Sequence, residues 1–513
     1  MGPASVKNQL GMALAGALLL AMASPPGVFA GSWILMPLGL ALLFEAAREH
    51  RGPRGLLSLY LAGALILFWV SWSLRYLFYW LPLVLAPGIG GLYWVLMAWT
   101  WRRSAARLSS RWQPWILASS WTTVEWIRAE MPQVGYPQSL AVLGFYEQPW
   151  LLGPVAVVGT VGLSLLLGLL GAGLWALLFT RGRVVVRALP ALVGLGLWLG
   201  LSLWSSPIRP VGEPLTMALV QPDRPAYPDQ PQYEEFSLMR PEERLRFFRP
   251  LVQSLPKVDL VVWPESFAPS VPEADLDRTC EAIASYLGAG QPTLFGASLF
   301  EQVGENSLLR RNAAFLVDAH GRYLGRHEKT RLVPLGEALP LVEQVLPRSA
   351  LLGLHDWIRT TSGWPMLVGG RPQELLSLDG HRFATPICYE NAFPSFFRSQ
   401  TRRGAEFFVV LSFENWYRQG SELDQLLALS VFGAREVGRP ILRCTDDGIT
   451  AHVGPGGRIR RLGRPGSREA MLAEIQPVTG DNPALVLGAW LPWLLAILSL
   501  VPFFSRFLWK SEA

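Results

Sequence analysis

Apolar residues run in long, nearly unbroken blocks at both ends of the chain and in short alternating runs through its middle. The long blocks fall at about 9–25, 31–47, 56–75, 88–101, 114–129, 154–180, 187–205 and 483–505, the fourth and fifth being short. A helix needs roughly 20 mostly apolar residues to cross a bilayer, so the pattern predicts about eight transmembrane helices, seven before the middle segment and one after it. The middle holds the strand-like runs LTMALVQ, VDLVVWPE, PTLFGASLF, AAFLVDA, FATPICYE, EFFVVLSF, PILRCT and TAHVGP. Helical spacing alternates with some of them, in EADLDRTCEAIASYLG and SELDQLLALSVFGAREVG. A mixed sheet with helices packed outside it is expected. The chain therefore divides into membrane helices over 1–206, a soluble α/β domain over 207–482, and a last helix with a short tail over 483–513.

Composition agrees with this division. Half of the residues are hydrophobic, only 16% are charged, and 22 are Trp, which is too apolar for an ordinary soluble protein. Charge orients the helices. Arg48, Arg51 and Arg54 share one connection, Arg102, Arg103, Arg107 and Arg111 another, and Arg181, Arg183 and Arg187 a third, while the alternate connections carry almost no cation. Arginine-rich loops stay in the cytoplasm, which puts both termini inside and residues 207–482 outside. The net charge of +6 is then a topology signal and does not point to nucleic acid. A second reading of the first block, as a signal peptide cleaved after VFA before Gly31, leaves the other spans oriented the same way. Glu125 and Arg128 share one face of the fifth span. They read as an interfacial pair, snorkelling and neutralising each other, with a functional charge at membrane depth as the alternative.

The candidate chemistry sits in the middle segment. Cys280, Cys388 and Cys444 are odd in number and far apart, so they suggest neither a disulfide framework nor a zinc site. Glu265, Lys329 and Cys388 each follow a strand-like run, where a sheet holds a side chain rigidly and leaves its tip accessible. A thiolate attacks a carbonyl, a carboxylate takes the thiol proton, and an ammonium lowers the thiol pKa and stabilises the tetrahedral oxyanion. Each residue has a plainer alternative: a helix-start carboxylate, a solvated loop lysine, a core thiol. Their shared placement favours the chemical reading.

The motifs WPES, EKTRLVPLGE, ICYE and GRPILRCTDDGITAHVGPGG, in this order, resemble the nitrilase (carbon-nitrogen hydrolase) superfamily. With the membrane frame, MPQVGYPQ after the fifth span and MALVQPD at the start of the middle segment, the whole chain is similar to the apolipoprotein N-acyltransferase family. The resemblance implies an αββα sandwich on the periplasmic face of a bacterial inner membrane. It implies Glu265 as general base, Lys329 as oxyanion stabiliser and Cys388 as nucleophile, with Glu337 as a further acidic site residue, Tyr389 and Glu390 flanking the nucleophile, and Trp416 on a mobile arm. It also implies a ping-pong reaction. A phospholipid, typically phosphatidylethanolamine, donates its sn-1 acyl chain to the thiol, and the α-amino group of a diacylglyceryl-cysteine lipoprotein accepts it. Neither cofactor nor metal is called for, membrane lipids surround the enzyme, and a monomer is expected.

The chain departs from the family pattern at SFENWYR, where Ser-Asn-Asp-Ala-Trp-Phe-Gly is usual: Trp416 is kept, but Phe413, Asn415 and Arg418 differ. The helix LDQLLALSVFGARE also lacks a His and an Arg often found there. Both departures bear on the acceptor more than on the acyl-enzyme. An amidase of the same superfamily, or an acyltransferase with another acceptor, is the alternative enzyme. A transporter or sensor leaves Glu265, Lys329 and Cys388 without a role.

Overall fold

Each of the eight apolar blocks is helical in the computed structural model, which describes residues 6–504 except 49–52, 73–74, 76–80, 107, 132–133, 231, 289, 304–307, 335, 340–341, 363–365, 372–373 and 419. Arg51 and Arg107, two of the orienting arginines, lie outside the described residues. The helices are α1 (Val6–Ala23), α2 (Met36–Arg48), α3 (Pro53–Val70), α4 (Leu81–Ala105), α5 (Gln113–Glu130), α6 (Val155–Phe179), α7 (Val184–Ser202) and, at the far end, Ala484–Phe504. The fourth block is longer than its expected 88–101, because the helix begins at Leu81 and runs through Pro87. By length and composition α6 and α7 are long and apolar enough to cross a membrane, while Asn8–Ala23, Gly55–Val70 and Ala484–Leu500 are shorter apolar stretches. Small residues bring backbones together: a Cβ on Gly16 of α1 would stand 2.7 Å from the Gly39 carbonyl of α2.

Two sheets form the middle of the chain. One contains β1 (Leu215–Gln221), β2 (Leu260–Val262), β3 (Thr293–Gln302), β4 (Leu308–Val317) and β5 (Tyr323–Glu328) in that spatial order. The other contains β6 (Leu376–Leu378), β7 (His381–Ala384), β8 (Phe407–Ser412), β9 (Ile441–Thr445), β10 (Ala451–Val453) and β11 (Ile459–Arg461), also neighbour to neighbour. A last strand, β12 (Glu469–Ile475), returns to pair antiparallel with β1. Pairing is parallel at the centre of each sheet, β1–β2–β3 and β7–β8–β9, and antiparallel at the edges.

Strand alternation builds the layers. Met217 and Leu219 of β1 join Phe407, Val409 and Leu411 of β8 in a core between the sheets, with Phe383 stacked on Phe407 at 5.0 Å. Ala218 and Val220 face the other way, onto α8 (Pro241–Phe248) and α9 (Leu276–Leu287). Phe408 and Val410 face α10 (Pro394–Arg402) and α11 (Glu422–Val437), in a cluster that continues into the apolar helices of the bundle. The domain is thus an αββα sandwich, and one of its helical layers is shared with the bundle.

That shared layer is bolted by polar contacts. Helix α6 kinks at Gly159, whose φ of 73° and ψ of 177° suit glycine alone. The kink frees the Thr160 N–H, which donates to Glu436 Oε2 of α11 at 2.8 Å, while Thr160 Oγ1 donates at 2.6 Å and Arg398 pairs with the other oxygen.

Three sequence expectations need correction. VDLVVWPE is strand only over Leu260–Val262, because Pro264 ends it. FATPICYE is strand only to Ala384: Pro386 offers no N–H, Ile387 makes a single bridge to Leu411, and Cys388–Ala392 is a 3-10 turn. Glu125 and Arg128 do pair, at 3.4 Å, but both are buried. They pin the turn after α5, Arg128 donating to the Ser139 carbonyl at 3.0 Å and Glu125 accepting from the Ala141 amide at 3.1 Å.

Candidate active site

Glu265, Lys329, Glu337 and Cys388 meet where strands of both sheets end. Glu265 leaves β2 in a tight turn, with Ser266 at a φ of 50°. The turn lies so close to β3 that a Cβ on Gly296 would sit 2.6 Å from the Glu265 Cα. Asn312 of β4 donates to Glu265 Oε1 at 2.6 Å, Lys329 Nζ donates to the same oxygen at 3.2 Å, and the Phe413 amide donates to Oε2 at 2.8 Å. Every partner is a donor, so the carboxylate is aimed and held with both oxygens in use.

Lys329 follows β5 directly and is fully buried. Its backbone is fixed on both sides, the amide donating to Asn312 and the carbonyl accepting from Gly370, each at 2.8 Å. The ammonium donates to Glu337 at 2.7 Å, and Glu337 in turn accepts from the Val333 amide at 2.9 Å. Burial alone would lower the lysine; the carboxylates of Glu265 and Glu337 and the thiol outweigh it and hold the ammonium well above the ordinary lysine value. Glu337 is shifted up, by burial first and by Glu265, with Lys329 opposing.

Cys388 opens its 3-10 turn at a φ of 49°, a left-handed conformation that a Cβ-bearing residue adopts only when its surroundings enforce it. Glu390 is the enforcing group. Fully buried, it accepts from the Ile387 amide at 2.9 Å, the Thr330 amide at 2.8 Å and the Thr330 hydroxyl at 2.6 Å, and it contacts His327 Nε2 at 2.8 Å. It thereby ties the Cys388 turn to the Lys329 loop. Burial works against its ionisation, but His327 and these hydrogen bonds win and hold the carboxyl below its usual range.

Lys329 acts on the thiol as expected, but it is outweighed. Burial, then Glu265, push Cys388 upward, Lys329 pulls it down, and Glu337 and Glu414 push it up again, so the net shift is upward. Burial therefore opposes ionisation of the sulfur, which calls for a base beside it to take the proton.

The remaining expected residues stand around this centre. Tyr389 turns away from it and donates its hydroxyl to the Gly135 carbonyl after α5, joining the Cys388 turn to the bundle. Trp416 lies edge-on to Phe413 at 5.2 Å in the turn Asn415–Tyr417. Three contributors escaped the sequence reading. Asn312 is signalled only by an amide inside an apolar strand; Glu414 is buried and paired with Arg443, itself a charge within the buried strand β9; the Phe413 amide leaves no sequence signal at all. Cys280 is buried on α9, and Cys444 sits between the sheets with its sulfur 3.3 Å from the Val220 and Val262 carbonyls.

Residues 228–481 match the carbon-nitrogen hydrolase family, and residues 15–173 match the apolipoprotein N-acyltransferase N-terminal domain. An apolipoprotein N-acyltransferase of Azotobacter vinelandii is 30% identical over 528 residues, covering 96% of this chain and 93% of that protein. One of Shewanella oneidensis is 28% identical over 419 residues, covering 78% and 74%. A nitrilase-superfamily structure from Saccharomyces cerevisiae is 16% identical, covers 60% of this chain and 98% of its own, and gives a TM-score of 0.36.

Proposed function

The chain belongs to the apolipoprotein N-acyltransferase family, a bacterial membrane enzyme that N-acylates lipoproteins, and on that premise we propose that the acyl chain passes through a thioester on Cys388. The observation that carries this reading is the convergence of Glu265, Lys329 and Glu337 on one buried thiol. Glu265 takes the Cys388 proton, and the sulfur attacks the sn-1 ester carbonyl of a phospholipid, with phosphatidylethanolamine as donor. The oxyanion faces the Lys329 ammonium. Of its three N–H bonds, Glu265 and Glu337 engage two, and the third is the donor to the oxyanion. Collapse breaks the ester C–O bond, and the departing lysophospholipid oxygen takes the proton from Glu265.

In the second step the α-amino group of a diacylglyceryl-cysteine lipoprotein attacks the thioester carbonyl and loses a proton to Glu265. The C–S bond breaks, an amide forms, and the sulfur recovers its proton. Cys388 is only 7% exposed, which supports aminolysis over hydrolysis by keeping bulk water from the thioester. The test is a product assay in phospholipid vesicles with a diacylated lipopeptide. The expected product is the N-acylated lipopeptide; free fatty acid in its place would make the chain a hydrolase.

All eight apolar helices cross the inner membrane in this reading, with residues 207–482 in the periplasm. Support comes from large apolar side chains that face outward from the helices, among them Val185 at 73% and Trp490 at 70% exposure, an arrangement suited to lipid and not to water. A Glu234→Cys variant is expected to react with a membrane-impermeant maleimide on spheroplasts, and Arg183→Cys only after lysis. Labelling of Arg183→Cys on intact spheroplasts would reverse the orientation.

A further inference from the structure

A second buried ion pair adjoins the first. Glu414 follows β8 and Arg443 lies within β9, and their paired side chains are 0% and 1% exposed. Val410 and Arg443 stand opposite each other in the parallel register of the two strands, so Arg443 shares the face that Phe408 and Val410 turn toward α11. Its neighbours along the strand, Leu442 and Cys444, join the apolar core between the sheets. Burying two charges costs about as much as their attraction returns, and apolar residues of similar volume often fold as well or better. Folding alone does not account for the pair.

Its hydrogen bonds join the two halves of the site. Arg443 donates to Glu414 Oε1, the Ile449 amide donates to Oε2 at 3.4 Å, and a Cβ on Gly448 would collide with that oxygen. With Glu414 held, the preceding Phe413 amide is held too, and that amide is the donor to Glu265 Oε2 at 2.8 Å. On its other side Arg443 donates to Ser430 Oγ of α11 at 2.8 Å, and the Ser430 hydroxyl donates to Asn391 Oδ1 at 2.6 Å. Arg443 and the Asn391 amide nitrogen also meet on one acceptor, the Leu426 carbonyl, at 3.2 and 2.9 Å. Asn391 belongs to the Cys388–Ala392 turn. One path thus runs from the base to the turn of the nucleophile through Phe413, Glu414, Arg443, Ser430 and Asn391.

The two charges also compensate each other beside the sulfur. Burial raises the Glu414 carboxyl, while Arg443, then hydrogen bonds with Ser412 and Ile449, oppose the rise. Glu414 in turn is among the carboxylates that oppose ionisation of Cys388. Without Arg443 its charge would stand uncompensated near the thiol.

We propose that Glu414 and Arg443 are positioning residues for acyl transfer, which keep Glu265 and Cys388 in one relative placement by fixing the Phe413 amide and the Asn391 end of the nucleophile turn. The proposal rests on the thioester reading above. Both residues act through Glu265 and Cys388, not on the substrate.

The test is the rate of acyl-Cys388 formation, read by intact mass for the full chain in phosphatidylethanolamine vesicles without lipopeptide, at several lipid concentrations and alongside thermal unfolding. Glu414→Leu/Arg443→Met replaces the pair by apolar groups. It is expected to unfold at or above the wild-type temperature, yet to acylate about 100-fold more slowly at saturating lipid, the cost of a misplaced base, with the half-saturating concentration unchanged. Ser430→Ala cuts the path by one hydroxyl, and is expected to unfold as the wild type does and to acylate about tenfold more slowly. Acylation at the wild-type rate, in a folded double variant or in Ser430→Ala, would make the pair a folding element and overturn the proposal. A defect seen only as a higher half-saturating lipid concentration would overturn it too, by placing the residues in lipid binding. If the double variant does not fold, Ser430→Ala decides. A wild type that never forms acyl-Cys388 ends the thioester reading itself, which is a distinct result.

Discussion

Cys388→Ser is expected to form neither acyl-enzyme nor N-acylated lipopeptide, while Cys280→Ser and Cys444→Ser remain active. The hydroxyl is a far weaker nucleophile at neutral pH, and Glu265 and Lys329 surround a thiol whose ionisation is already opposed by burial. The substitution changes one atom of a residue packed in the Cys388–Ala392 turn, so the fold should survive it. The two control cysteines are instructive because they too are buried and free. Cys280 is pushed up to about 12 by burial, then by Asp277, with Arg326 opposing. Cys444 is likewise raised by burial, with the Val220 and Val262 carbonyls in contact with its sulfur and Asp446 nearby. Neither has a carboxylate base and an ammonium together. Full activity of Cys388→Ser would end the thioester proposal.

Lys329→Ala is expected to slow acylation of Cys388 by about 100-fold or more, the usual cost of removing an oxyanion donor. Two effects add. The oxyanion loses its donor, and the thiol loses the neighbouring positive charge that lowers its pKa and favours the thiolate. Lys329→Arg should not rescue the rate. The ammonium is fully buried and already donates to Glu265 and Glu337 at 3.2 and 2.7 Å, and a planar guanidinium is larger and points its donors differently. Removing the cation also leaves two buried carboxylates facing each other, so thermal unfolding must accompany the rate. A folded Lys329→Ala enzyme that acylates at the wild-type rate would place the oxyanion elsewhere.

Much of this was legible in the sequence, for identifiable reasons. Long apolar blocks announce helices, and all eight blocks are helical, two of them long and apolar enough to cross a membrane. Cys388, Glu265 and Lys329 were legible from short motifs at strand exits, and the fold does gather them. Strands β5 and β12 were not. YLGRHE and EAMLAEI carry charges along their length and sit toward sheet edges, where one face is wet and the apolar signal is halved. The support of Glu265 was invisible for another reason: Asn312 and the Phe413 amide come from distant segments. The lysine's downward pull on the thiol was legible, but not the net upward shift, because the motif says nothing about how deeply the sulfur is buried or how many carboxylates share the cavity, and three of them act on Cys388.

The central chemical proposal is the covalent intermediate on Cys388. Purified wild-type chain is to be incubated with phospholipid vesicles and no lipopeptide, then analysed by intact mass and peptide mapping. The account predicts one added acyl chain, on Cys388, that hydroxylamine removes and that a later addition of diacylated lipopeptide converts to N-acylated product. Product formation with no acyl group ever detected on Cys388, or an acyl group on another residue that passes to the lipopeptide, would contradict it.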